Sequence, residues 1–144
     1  MSFIPVQAKL VDLNGYITSP WITFLNPIVN KYNPIITIKL ADKATAGVYN
    51  LPATESGSII DNKGCSAVQT VNLPVATTGL EYRIICSEGF AIHMAPQAGE
   101  WVMGASSAGK YFSLDDAGSS AYLICVNFGS WQVLSSHGAN SFEA

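Results

Sequence analysis

Apolar and polar positions alternate in short pieces along most of the chain from Ile35 onward. In residues 81–86, Tyr82, Ile84 and Cys86 share one side, and Glu81, Arg83 and Ile85 share the other. That two-residue period belongs to a β-strand. Similar pieces occupy residues 35–40, 70–74, 90–94, 100–103, 110–114, 120–126 and 131–135. Turn signals separate them, among them Ser87-Glu88-Gly89, the small-residue run 104–109, Asp115-Asp116-Ala117-Gly118 and Asn127-Phe128-Gly129-Ser130. Strands of this length divided by such turns predict a mainly β domain, an antiparallel sandwich or a barrel-like fold. The pattern is weaker over residues 41–69, where Gly47, Pro52, Gly57 and Gly64 mark loops and strand order is left open. In residues 120–126 both faces are apolar, with Ala121, Leu123 and Cys125 on one and Tyr122, Ile124 and Val126 on the other. Such a strand lies either between two layers of one subunit or against a neighbouring subunit.

The start of the chain follows a different rule. Residues 1–18 read as extended pieces broken by the Asn14-Gly15 turn. Ser19-Pro20 then has the form of a helix N-cap followed by proline at the first helical position. Trp21, Phe24, Leu25, Ile28, Val29 and Tyr32 recur every three or four residues, which makes one apolar helix face. Pro27 shortens or kinks that helix, and Asn33-Pro34 ends it. The expected organisation is an arm with a short helix over 1–34, serving attachment or oligomerisation, and a β domain over 35–144.

Composition narrows the function. Hydrophobic residues make up 49% and charged residues 12%, with a net charge of -3. The charged share is about half of the roughly 25% usual in soluble domains. A disordered chain is excluded, because it needs low hydrophobicity and high charge. Seven basic residues barely supply a phosphate-neutralising face, so no nucleic-acid partner is expected. A small protein with so little charge is expected to turn much of its surface toward other protein, as a homo-oligomer or part of a larger assembly. The start has no basic region followed by a long apolar stretch, so no secretion signal is read. The uncharged run between Asp12 and Lys31 is interrupted by Asn14, Gly15, Pro20, Asn26 and Pro27, so no membrane span is expected. Cys65, Cys86 and Cys125 lack metal-type spacing and read as buried free thiols, which fits synthesis in the cytoplasm.

Candidate chemistry is sparse. Gly104 to Lys110 fits the G-x-x-x-x-G-K part of a phosphate loop, but Tyr111 stands where Ser or Thr should hold magnesium, and a strand pattern follows. Ser135, Ser136, His137, Asp115 and Asp116 supply hydrolase residue types without a nucleophile elbow. Cys125 with His93 or His137 is an equally generic pair. Two histidines do not complete a metal site within one chain. Neither the adjacent Asp115-Asp116 nor Glu88 and Glu100 make a spaced carboxylate pair. No catalytic residue, metal or cofactor is therefore expected, and the chain reads as a non-enzyme. Trp101 and Trp131, with Tyr111 and Tyr122, are candidate ligand-facing aromatics for stacking on a sugar.

Two stretches resemble small β-rich structural proteins of tailed-bacteriophage virions, of fibre, decoration or tail-associated type. The first is Leu10-Val11-Asp12-Leu13-Asn14-Gly15 followed by Trp21-Ile22-Thr23-Phe24-Leu25. The second comprises Val71-Asn72-Leu73-Pro74, Thr78-Gly79-Leu80-Glu81-Tyr82, the segment from Phe90 to Pro96, Gly109-Lys110-Tyr111 and Trp131-Gln132-Val133. Its order is that of the module "L-P…G-x-x-Y-x-F/I…I-x-P…G…L…W-x-V". The match departs at Pro27, at His93-Met94-Ala95 and at the C-terminal end, which lacks a second Trp. The resemblance implies a homotrimeric, non-enzymatic β domain with an N-terminal attachment segment, located on the virion. Capsid or tail subunits are the expected partners, and Trp21, Phe24, Leu25 and Ile28 the expected docking residues. Recognition of a host glycan through Trp101 or Trp131 is the alternative.

Overall fold

A computed structural model of the protein describes residues 36–144. The arm, the short helix and the docking residues Trp21, Phe24, Leu25 and Ile28 lie outside the described residues. Over 36–144 the chain is mainly β, in two sheets. The strands are β1 (Thr37–Lys39), β2 (Val48–Asn50), β3 (Ile59–Asp61), β4 (Gln69–Asn72), β5 (Glu81–Ile85), β6 (Ile92–Ala95), β7 (Trp101–Val102), β8 (Phe112–Leu114), β9 (Ser120–Asn127), β10 (Ser130–His137) and β11 (Asn140–Phe142). Two short turns accompany them, α1 (Leu40–Lys43) and a 3₁₀ turn (Ala53–Glu55).

The first six strands alternate between the sheets. β1, β3 and β5 run parallel in one sheet, and β2, β4 and β6 run parallel in the other. Each circuit of the chain therefore adds one rung to both sheets, as in a short solenoid. The register partners Thr37↔Ile59 and Val48↔Thr70 are 22 residues apart, and Thr70↔His93 are 23 apart. The repeat is visible in side chains. Ile38, Ile60 and Ile84 stack as inward register partners. Asn50-Leu51-Pro52 recurs as Asn72-Leu73-Pro74, and the Asn72 side-chain amide donates to the Asn50 side-chain oxygen at 2.8 Å.

The second half closes this framework mainly with antiparallel pairs, although β7 runs parallel to β10. β9 pairs with β5 and then folds back on β10, giving the sheet order β1-β3-β5-β9-β10-β7. β8 pairs with β6 and then β11, giving β11-β8-β6-β4-β2. Within this mainly β, two-sheet fold, strand direction is mixed, parallel among β1–β6 and largely antiparallel thereafter. The segments joining consecutive strands are long enough to cross to the opposite sheet, so sequence neighbours need not pair.

Between the sheets lies one core. Tyr82, Ile84, Leu123 and Trp131 from one side meet Val71, Ile92, Met94, Phe112 and Leu114 from the other, all fully buried. Asn62 anchors the edge of this core. Its amide donates to the Phe90 carbonyl at 2.7 Å, and its oxygen accepts the Ser87 and Glu88 amides at 2.7 and 3.0 Å. A buried polar side chain tied to three backbone groups holds the β5–β6 connection to the end of β3.

Candidate functional site

Three surface regions bring chemistry-bearing side chains together. The first is an open groove of about 440 Å³ on the outer face of the six-stranded sheet. Register explains its lining. Ile59, Arg83, Tyr122 and Ser135 occupy one rung across β3, β5, β9 and β10, and Ile85, Ser120 and His137 occupy the next. Ser136 completes the wall after an irregularity in the β9–β10 register between Val133 and Ser135. The Arg83 guanidinium carbon stands 5.6 Å from the centre of the Tyr122 ring, a cation–π contact. The Tyr122 hydroxyl donates to the Glu81 carboxylate. That hydrogen bond, then burial, pushes the Tyr122 pKa up against the opposing charge of Arg83. The hydroxyl therefore stays protonated and fixes the ring beneath the guanidinium. Among the described residues the ion pair is Lys110 with Glu143, so Arg83 has no carboxylate in direct contact there.

The second region is an apolar tip at the other end of β9. The Gly129 amide donates to the Ala76 carbonyl at 3.1 Å, and the Trp101 amide donates to the Gly129 carbonyl at 3.0 Å. These bonds bring together three segments that carry Val75 (55% exposed), Trp101 (40%), Val126 (38%) and Phe128 (79%). Their exposed apolar area is on the order of 400 Å², taking aromatic side chains at roughly 150–250 Å² each and valines somewhat less. A patch of that size falls within the range of the largest apolar patch on a typical monomer, which is often functional. Tyr122 of the groove and Val126 of the tip lie four residues apart along β9, about 13 Å at strand rise, so the groove leads toward the tip.

On the outer face of the five-stranded sheet His93 stacks on Tyr111, with ring centres 4.2 Å apart. Glu143 bonds the Lys110 ammonium at 3.2 Å and the Tyr111 amide at 3.3 Å. Burial opposes the Glu143 charge, but Lys110, the Tyr111 amide and His93 outweigh it and hold its pKa below the usual carboxylate range. This cluster fastens the end of the chain after β11 to the start of β8.

The structure sorts the sequence candidates. Trp101 lies half-exposed at the tip. Trp131 is fully buried and packs on Tyr82 with ring centres 5.8 Å apart, so it offers no face to a ligand. The expectation for Trp131 is corrected on that ground: it turns inward opposite Cys125, in the register of the core. Ser135, Ser136 and His137 belong to β10 and the groove, whereas Asp115 accepts the Ser113 hydroxyl at 2.6 Å on the other sheet. They form no triad. The buried Cys125 thiol donates to the Asn127 carbonyl at 3.0 Å, in the sheet that does not contain His93. Lys110 follows the glycine-rich loop into β8 and pairs with Glu143, with no helix to hold phosphate. Cys65, Cys86 and Cys125 are free, with Cys65 only partly buried. No cluster of three or more His, Cys, Asp or Glu able to hold a metal occurs among the described residues. No helix among them is long and apolar enough to cross a membrane.

Sequence reading missed Arg83 and Ser120 as site residues, although the alternation over 81–86 and 120–126 put Arg83 and Tyr122 on outward faces. It also treated Phe128 as a turn residue. An aromatic side chain between Asn127 and Gly129, where turns favour small polar residues, was the available signal. No protein-family model and no curated protein sequence matches the chain.

Proposed function

We propose that this protein is a non-enzymatic structural subunit of a tailed-phage virion, a capsid decoration or head-fibre protein or a small tail component. It acts as a homo-oligomeric, trimeric docking module. The apolar tip formed by Val75, Trp101, Val126 and Phe128 is the observation that carries this reading. A chain with 12% charged residues that exposes Phe128 at 79% is suited to being covered by another protein. A stable interface covers about 800 Å² on each partner, roughly twice the tip. The apolar residues Trp21, Phe24, Leu25 and Ile28 are suited to docking in their own right. Many weak contacts from a symmetric oligomer then add through effective concentration.

Light scattering on a sizing column tests the oligomer, with a mass near three times 15.3 kDa expected. Replacing Trp101 and Phe128 by Ser, or Trp21 and Phe24 by Ser, should lower that mass or abolish attachment to particles. A monomer that also fails to attach to particles refutes the proposal. Glycan recognition is the second reading. The groove around Arg83, which combines apolar wall with serine hydroxyls, favours it, rather than the tryptophans.

A further inference from the structure

We infer that the groove around Arg83 binds an acidic saccharide, with the guanidinium taking the carboxylate of a uronic-acid-type sugar. This inference rests on the second reading above and names the ligand class of that site.

Arg83 is the chain's single arginine, and it stands on an outward face in an open groove. An arginine kept for a structural ion pair would touch a carboxylate, and among the described residues this one does not. Its contact is the Tyr122 ring at 5.6 Å. The ring contact positions the guanidinium, whose N–H fork is suited to bidentate capture of a carboxylate. Glu81 lies on the same face two residues away, but it is engaged by the Tyr122 hydroxyl. Asp61 faces Ile85 across the β3–β5 pair. Neither carboxylate lines the groove.

The other lining groups fit a sugar better than a bare anion. Ser120, Ser135 and Ser136 carry hydroxyls that both donate and accept, which matches the hydroxyl pattern of a pyranose. Ile59 and Ile85 supply apolar wall for the C–H faces of the ring. A volume of about 440 Å³ falls within the range of small-molecule sites. An inorganic anion would use the arginine and leave the serines and isoleucines idle. A protein partner is better suited to the apolar tip, which exposes Phe128 at 79%. Tyr122 and Glu81 act as positioning residues here, the carboxylate holding the ring and the ring holding the guanidinium.

The test is an amide chemical-shift titration of the full-length protein with trigalacturonate, its methyl ester and inorganic sulfate. Trigalacturonate should shift the amides of Arg83, Ile85, Ser120, Tyr122 and residues 135–137, and the methyl ester should bind at least tenfold more weakly. Arg83→Gln should abolish the shifts at unchanged circular dichroism. Arg83→Lys keeps the charge without the fork and should weaken binding severalfold. Tyr122→Phe keeps the ring but releases Glu81, and should also weaken binding. Equal binding of the acid and its ester would overturn the acidic-sugar assignment and leave glycan recognition standing. Absence of binding by either saccharide would overturn both. Sulfate binding as tightly to the same amides would reduce the groove to a simple anion site and refute the inference.

Discussion

Replacing Asn62 by Ala should unfold the described domain far more easily than the loss of one small side chain suggests. Asn62 is fully buried, and its side chain makes three hydrogen bonds of 2.7–3.0 Å to the backbone of the β5–β6 connection. Each bond contributes about 1 kcal/mol net, and a buried group left without a partner costs about 1–3 kcal/mol. Ser87 and Phe90 are exposed residues, so water can recover part of the loss. The Cys86 thiol beside the amide, at 3.5 Å, cannot replace the oxygen as acceptor of two amides at once. The expected loss is therefore about 2–4 kcal/mol, equivalent to a fall in Tm of roughly 10–20 °C for a domain of this size. Urea unfolding followed by tryptophan fluorescence measures it, because Trp131 lies in the core and reports its exposure. Asn62→Asp keeps the acceptor for Ser87 and Glu88 but removes the donor to Phe90, and should fall between the wild type and Asn62→Ala near neutral pH. A loss below about 1 kcal/mol for Asn62→Ala would refute the idea that this side chain anchors the turn.

Gly138 has φ +79°, and a Cβ there would approach Ser119 Oγ to 2.6 Å and Ser119 Cα to 2.9 Å. Gly138→Ala should cost about 2–3 kcal/mol by denaturant unfolding, against about 1 kcal/mol for Gly129→Ala, where only the backbone conformation is strained. The depressed pKa of Glu143 makes its stabilisation of the chain end present above the ordinary carboxylate pKa and lost as pH falls through the lower folded value. The protection of the β11 amides, corrected for the intrinsic exchange rate at each pH, should therefore fall in acid, and Glu143→Gln should remove that dependence. Burial pushes all three thiols up, joined at Cys65 by Asp61 and Glu88. Ellman's reagent should label one thiol, Cys65, in the native protein and reach Cys86 and Cys125 only at the rate of unfolding.

Particular residues show where sequence reading reached the structure and where it stopped. The alternation in 81–86 put Tyr82, Ile84 and Cys86 inward, and all three are fully buried. Ala121, Leu123 and Cys125 likewise face the core. On the opposite face of β9, Val126 is exposed and Tyr122 and Ile124 are half-buried, so that face carries the groove and leads toward the tip. β2 was missed because Val48–Asn50 is only three residues long and sits between Gly47 and Pro52. β11 was missed because Asn140–Phe142 has almost no apolar signal. The recurrence of Asn-Leu-Pro at 50–52 and 72–74 was legible as a repeat and would have pointed to stacked parallel rungs.

The sequence by itself determined the longer strands, and in 81–86 and 120–126 their buried faces, because a two-residue period and the turn residues act locally on each segment. Only the tertiary structure decided which strands pair and in which direction, since Ile38, Ile60 and Ile84 could face a core equally well in either sense. It alone placed Trp131 inside and Trp101 outside, two aromatics that look alike in the chain. It also gathered Ile59, Arg83, Tyr122 and Ser135 into one rung from four separate strands. Side-chain direction is a local property of the backbone, whereas partnership depends on which distant segments pack best together, and no window along the chain contains both.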